Sequence, residues 1–314
     1  MKIRKIIIFC LIAILCMGLS TNIFANEEVL KPVEPPSEEV MERATVKVYD
    51  EYDMYNSLQQ QSPAALQAKG YTQQDIQSIK STTYESLLRE RGKLSTDELK
   101  NYGYSDAQIA ILKNPNSTDA ELRSASSKIT VTTVVEKLEH LKDNYTYSTV
   151  YLEWMWKTIP TSRYTDSAAI AWTGEMAFMP YSENNKSRYT LWKRNIATKA
   201  EAMKTTPLTS NHYVQLGRAV QIPEFHLSER ASGATSPVGP SGSYNVTFKG
   251  AARIALKYYG ALSFMQAQGA YAHYSIGVSG ISISLSWPPS ISINFSKSPY
   301  AVYRANDSCT VTER

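Results

Sequence analysis

Cysteine is nearly absent from this chain: there are three in 314 residues, and two of them, Cys10 and Cys16, fall within the first 25. A chain trimmed after Ala25 keeps Cys309 alone, which excludes an internal disulfide and any disulfide-stapled scaffold. Its stability has to come from packing. Histidine is also scarce, at four: His140, His212, His226 and His273. None belongs to a His-Glu-x-x-His arrangement, and Glu224-x-His226 alone is a weak metal cue, so no metal site is expected. Ser241 and Ser279 each miss the Gly-x-Ser-x-Gly elbow of serine hydrolases by one residue. No glycine-rich phosphate loop occurs, and no cofactor is expected. Carboxylates are sparse in the C-terminal part, where Glu153 and Glu175 alone are central to expected strands. Such a pair suits a polysaccharide hydrolase only if the two carboxyls sit about 5–10 Å apart. After the first 25 residues no apolar run approaches the ~20 residues of a spanning helix.

What is present begins with export. Lys2, Arg4 and Lys5 precede an apolar stretch from Ile6 to Leu19, and Ile23-Phe24-Ala25 closes the segment on a small residue. This pattern predicts a signal peptide over 1–25, cleaved after Ala25, and an extracellular product. Residues 26–53 hold nine acids and three bases, while residues 128–314 hold nineteen bases and twelve acids. The basic C-terminal part favours an anionic neighbour.

Residues 26–54 are Glu-rich and carry Pro32, Pro35 and Pro36, a composition that predicts a flexible acidic leader. Residues 55–127 are punctuated by helix starts at Ser62, Thr72, Thr82, Ser95, Ser105 and Thr118, the last five each with an acid or amide three residues on. Leu66-x-x-x-Gly70-Tyr71-Thr72 recurs as Leu99-x-x-x-Gly103-Tyr104-Ser105, an offset of 33 residues. A small bundle of short helices built from a two-copy 33-residue repeat is expected, its members too short to stand alone.

Residues 128–314 switch to period-two alternation. Val150, Leu152, Trp154 and Trp156 share one face of Tyr145–Thr158, and Val246, Phe248, Ile254 and Leu256 one face of Asn245–Tyr258. Further strands are expected near Ile129–Val135, Ile170–Phe178, Tyr189–Ile196, Val214–Ile222, Tyr274–Val278, Ile281–Trp287 and Ile291–Phe295, with a loop at Ser228–Ser243. The phase slip at Ser279-Gly280 marks a bulge or turn. The fold class expected is α+β, the helical bundle followed by an elongated antiparallel β-sandwich.

Tyr145, Tyr147, Tyr151 and Lys157 share the wet face of one strand, and Lys249, Arg253 and Lys257 that of another. Aromatic rings stack on ligands while nearby bases hold anionic groups, so these seven residues form the expected ligand site. Ile281–Phe295 alternates apolar residues with Ser and Asn and resembles the amphipathic hairpins of pore-forming toxins. Each arm is shorter than the ~9–11 residues of a tilted spanning strand. The function expected is that of a secreted, non-enzymatic binding protein at the cell surface or envelope. Its partner would be an anionic cell-surface polymer, a membrane surface or another protein; nucleic acid is not expected. The alternatives are a membrane-active, pore-forming-like β protein and a secreted hydrolase acting on a polysaccharide.

Overall fold

The computed structural model describes residues 30–68, 71–141, 143–161, 165–214, 218–226, 228–230, 244–273, 281–286, 290–295 and 301–310. The signal-peptide reading, Gly70 of the repeat, most of the Ser228–Ser243 loop, the Tyr274–Val278 strand, the phase slip at Ser279-Gly280, and Pro288-Pro289 lie outside them.

Residues 32–44 run as a strap with one short helix, Glu38–Glu42, and lead into strand β1 (Thr45–Asp50). Asp50 then caps the helix Glu51–Gln60 by accepting a hydrogen bond from the Tyr52 amide at 2.9 Å. Helices Pro63–Ala68, Gln73–Ser81, Tyr84–Gly92, Thr96–Asn101, Asp106–Lys113 and Asp119–Ser124 follow. Reciprocal capping boxes form at Thr72/Asp75, Ser95/Glu98, Ser105/Gln108 and Thr118/Glu121. Each satisfies two backbone donors that a short helix would otherwise leave open. The start expected at Thr82 falls one residue later. Thr83 accepts from the Ser86 amide at 3.1 Å, while Thr82 ends the preceding helix. Leu66, Leu88, Leu99 and Leu122 are fully buried among these helices.

The strands come next: β2 (Lys128–His140), β3 (Tyr145–Trp156), β4 (Thr165–Trp172), β5 (Ala177–Met179), β6 (Arg188–Asn195), β7 (Glu201–Pro207) and β8 (Tyr213–Val214). A short helix, Tyr181–Asn184, separates β5 from β6. Then follow β9 (Ala219–His226), β10 (Ser228–Arg230), β11 (Tyr244–Tyr259), β12 (Phe264–His273), β13 (Ile281–Ser286), β14 (Ser290–Phe295) and β15 (Ala301–Thr310). Together they make an α+β fold. An eight-stranded sheet runs β1-β2-β3-β11-β6-β7, with β5 and β10 also paired to β11. A five-stranded sheet runs β15-β12-β4-β9-β8. The hairpin β13-β14 lies beside β12 and β4.

The expected faces of β3 and β11 hold on the inner side, where Val150, Leu152, Trp154, Trp156, Ile254 and Leu256 are buried. Trp154 meets Phe225 at 5.7 Å and Tyr271 at 5.8 Å between ring centroids, so residues of the two sheets interdigitate. Room for the indole comes from Gly250, where an added Cβ would lie 2.0 Å from the Trp154 ring. The single strand expected over Ile170–Phe178 is interrupted at Gly174 (φ 78°), giving β4 and β5. Part of the expected Ser228–Ser243 loop is strand β10, paired to β11.

Beyond residue 31, the segment expected as a flexible leader makes defined contacts. Val33 is buried, β1 pairs with β2 from Thr45↔Thr133 to Asp50↔Lys128, and Glu51 starts a helix. Residues 32–314 cluster as one compact unit, with a buried cluster shared by helices and sheets. Arg91 donates to the Ile159 and Pro160 carbonyls, and Asn101 to the Ile196 carbonyl at 2.6 Å. Glu51 is completely buried. Its carboxylate accepts from Tyr84 Oη at 2.9 Å, from the Thr161 amide at 2.9 Å and from Thr161 Oγ1 at 2.6 Å. Glu51→Ala strands these donors and is expected to cost about 3 kcal/mol of stability. Urea unfolding measures this, and a loss within about 0.5 kcal/mol of zero, the range of an ordinary surface substitution, would deny Glu51 its joining role.

Candidate functional site

Strand β3 spans twelve residues, roughly 40 Å at about 3.3 Å per residue. Residues at its two ends therefore cannot share one small ligand. Tyr145 and Tyr147 sit at its start, beside the end of β11, in the register Tyr145↔Tyr259 and Tyr147↔Lys257. The Tyr145 ring lies 5.2 Å from that of Tyr259 and 6.1 Å from that of Tyr147. Tyr259 is 67% exposed, as are Leu141 (47%), just past β2, and Phe264 (40%), the first residue of β12, to a lesser degree. Lys257 pairs with Glu183 at 3.0 Å. Tyr147 Oη donates to Asp143 at 2.8 Å, and that bond raises the Tyr147 phenol.

Backbone bonds tie this end together. The Gly260 amide donates to the Asn144 carbonyl at 2.8 Å, and the Leu141 amide to the Tyr145 carbonyl at 2.8 Å. Buried Thr146 donates through Oγ1 to the Gly260 carbonyl at 2.6 Å and accepts from the Leu262 amide at 3.2 Å. Asn144 (φ 64°) and Gly260 (φ 112°) both take positive φ, as tight turns require.

Tyr151, Lys249 and Arg253 form a second group at mid-sheet. Their face was expected to be wet, yet Tyr151 is completely buried, packed with Val33, Val134 and Ala251 under the strap. Each cation there faces a carboxylate: Lys249 and Glu153 at 2.8 Å, Arg253 and Glu136 at 2.5 Å. Tyr151 Oη donates to Glu153 at 2.8 Å, and burial, then Glu153, pushes its phenol far up. Lys157 belongs to neither group. It lies past the far end of β3, its amide donating to the Lys128 carbonyl at 2.8 Å and its own carbonyl beside Gly103. The seven expected residues are thus split between two places, with Lys157 apart from both. Tyr259, Leu141, Phe264 and Trp192 were missed, although Tyr258-Tyr259-Gly260 is an aromatic pair leading into a turn, a signal that could have found Tyr259.

Nothing in the described groups resembles an accessible catalytic centre. Glu153 is engaged on the outer face of the eight-stranded sheet, and Glu175 follows β4 of the other sheet, 3.7 Å from Arg218. Asp166, His273 and Tyr271 do converge: His273 Nδ1 lies 2.8 Å from Asp166 Oδ1, and Tyr271 Oη donates to the other carboxylate oxygen. All three are completely buried. His140 contacts Thr146, and His212 accepts from the Thr209 amide. No set of three or more His, Cys, Asp or Glu suited to a metal occurs among the described residues. Among the same residues no helix is long and apolar enough to cross a membrane.

No protein-family model matches the chain, and no curated protein matches it. Three solved structures that share some likeness are a pore-forming protein, the Clostridium perfringens delta-toxin, and CfaE, the adhesive subunit of the CFA/I fimbria of enterotoxigenic Escherichia coli. The first is 7% identical, with 59% of this chain and 86% of that chain covered at a TM-score of 0.24. The delta-toxin is 8% identical, covering 62% and 90% at 0.18. CfaE is 6% identical, covering 59% and 58% at 0.20. At such TM-scores the likeness carries no argument.

The buried phenols set a pH limit. Burial first, then nearby carboxylates, raises Tyr84, Tyr151, Tyr271 and Tyr303 above the ordinary value of 10.0. A raised phenol contributes stability that is fully present below about pH 10 and lost as pH climbs through the folded-state value. Stability measured by thermal melting should therefore fall above about pH 10, with these tyrosines ionising only on unfolding. Ultraviolet titration in which all tyrosines ionise near pH 10 without unfolding would contradict this assignment.

Proposed function

We propose that this chain is a secreted, non-enzymatic protein that works by surface contact, through the aromatic end formed by Tyr145, Tyr147, Tyr259, Leu141 and Phe264. One observation carries the reading. Three of the six most exposed large apolar side chains among the described residues gather where strands end at this side: Leu141 just past β2, Tyr259 closing β11 and Phe264 opening β12. Exposed apolar side chains gathered in one place mark contact sites more often than isolated ones do. The stitched turns keep the rings in position before any partner arrives, which lowers the ordering cost of binding. Tyrosine gives large contact area while its hydroxyl tolerates water. Lys257 beside Tyr147 supplies a cation, though Glu183 balances it. An uncharged or zwitterionic envelope surface therefore suits this end better than a strongly anionic polymer.

The contact of Trp154 on one sheet with Tyr271 on the other supports the sandwich arrangement in this reading. The helical part is best taken as two copies of one unit. Lys80 donates to the Gln59 and Gln61 carbonyls, and Lys113, 33 residues on, donates to the Gly92 and Leu94 carbonyls. The Tyr71 and Tyr104 amides likewise return to the Leu66 and Leu99 carbonyls.

A membrane-active reading keeps one specific support. The β13-β14 register sets Ile281 opposite Phe295, Ile283 opposite Ile293 and Leu285 opposite Ile291, with Ser opposite Ser or Asn between them. Dye release from vesicles at micromolar protein is the outcome this second reading requires; sealed vesicles remove it.

For the main reading, the mature protein is incubated with whole cells, isolated wall and lipid vesicles, and the bound fraction is measured. Tyr259→Asp combined with Phe264→Asp is expected to weaken binding at least about tenfold, since each buried aromatic is worth roughly 1.5–3 kcal/mol. The melting temperature should stay unchanged. Equal binding by the double variant would refute the aromatic end as the contact site.

A further inference from the structure

The outer face of the eight-stranded sheet carries a second site, separate from the aromatic end, and the chain already fills it. Strap residues 32–34 are held there by their backbone. The Val33 amide donates to Thr190 Oγ1 at 2.8 Å. Arg188 Nη2 donates to the Pro32 carbonyl at 3.4 Å, and Arg253 Nη2 to the Glu34 carbonyl at 3.1 Å. Val33 alone among these three residues is buried, against Val134, Tyr151 and Ala251. Val40 and Met41, farther along the strap, pack less deeply on the same patch.

The receiving surface is built independently of the strap. Arg253 is oriented by Glu136 through Nε at 2.7 Å and Nη2 at 2.5 Å. Glu153 holds both Tyr151 Oη and Lys249, and Lys249 Nζ lies 5.1 Å from the centroid of the Trp192 ring. All these residues stand within β2, β3, β6 and β11, which pair with one another along their lengths. The strap, by contrast, has no regular structure over 30–37, and its three prolines carry no amide hydrogen. Donors aimed at carbonyls, one hydroxyl accepting from an amide and one apolar pocket together recognise an extended backbone and read a single side chain. Recognition of extended peptides elsewhere has this same division between backbone bonds and side-chain pockets.

The geometry points to a peptide-binding groove on this face, specific for an extended segment with a branched aliphatic residue and occupied by the chain's own Pro32-Val33-Glu34. Tethering gives the strap a high effective concentration, so a free peptide of the same sequence competes poorly with it. Weakening the strap's anchor opens the groove to a peptide supplied from outside.

The test uses the full mature chain and a fluorescent peptide of residues 32–44, with binding read by anisotropy. Val33→Asp in the protein is expected to bind the peptide at least tenfold more tightly than the wild type. Adding Arg188→Ala and Arg253→Ala should remove at least tenfold of that gain, and a peptide carrying the same Val33→Asp change should not bind. A Val33→Asp protein that keeps its circular dichroism yet ignores the peptide overturns the proposal. Should that variant unfold, amide hydrogen exchange on the wild type decides. Exchange at Val33 much faster than at the central amides of β3 supports a strap that lifts by itself; protection equal to theirs makes it an inseparable part of the sheet and overturns the groove.

Discussion

A buried carboxylate at Glu51 is the constraint on which the arrangement of this molecule depends. Taking a carboxylate out of water costs several kcal/mol unless its oxygens are satisfied, and three donors from Tyr84 and Thr161 do so here. Those donors come from distant parts of the chain: a helix of the N-terminal part and the segment after β3. Glu51 itself follows β1 directly, and its amide donates to the Ser127 carbonyl at 2.9 Å, just before β2. One side chain thus fixes where the helices meet the long sheet. Tyr84 reinforces the joint by accepting from the Ser127 amide at 3.3 Å. Because the joint is polar and geometrically specific, it selects one docking angle, which apolar packing alone would leave looser.

Away from that joint the two sheets close by a match of sizes. Trp154 and Leu152 project from β3, and glycines receive them: Gly250 beside the indole, and Gly269, where an added Cβ would come within 2.5 Å of Leu152 Cδ1. Large side chains on one strand thus demand the smallest residue opposite. Asp166, His273 and Tyr271 sit in this same interior, where Trp156 Nε1 donates to Tyr271 Oη at 2.9 Å. Their hydrogen bonds let polar groups lie inside an apolar layer.

These features explain what the sequence reveals and what it conceals. Helix starts were legible because a hydroxyl cap is a local device, settled within four residues; the one misplaced start, Thr82 for Thr83, is a choice between adjacent hydroxyls. Strands β3 and β11 were legible because large apolar residues alternate along them. Strand β12 is hard to read in the sequence because Ala267, Gly269, Ala270 and Ala272 are small, fitting under neighbours that are remote in sequence. Strand β1 was hidden by the acidic residues around it, although Thr45-Val46-Lys47-Val48-Tyr49 alternates by itself. The candidate site divides in the same way. Tyr145 and Tyr147 are legible from their own strand, but Tyr259 joins them only through the pairing of β11 with β3, strands far apart in the chain. Tyr151 reads as solvent-facing in the sequence because nothing in its own strand announces that Val33 will cover it.

Covering Tyr151 has a consequence for how the outer face divides its work. Its centre combines aromatic rings with cations already balanced by Glu136 and Glu153, so the net charge there is small and attraction at long range is weak. Recognition at such a surface has to come from shape and short-range bonds. The aromatic end has the same character, with Lys257 balanced by Glu183 and Tyr147 bonded to Asp143. The excess of bases over the C-terminal part therefore does not translate into a cationic binding face at either place. Contact area, fixed in advance by hydrogen-bonded turns at one end and by paired strands at mid-sheet, is what this chain offers a partner.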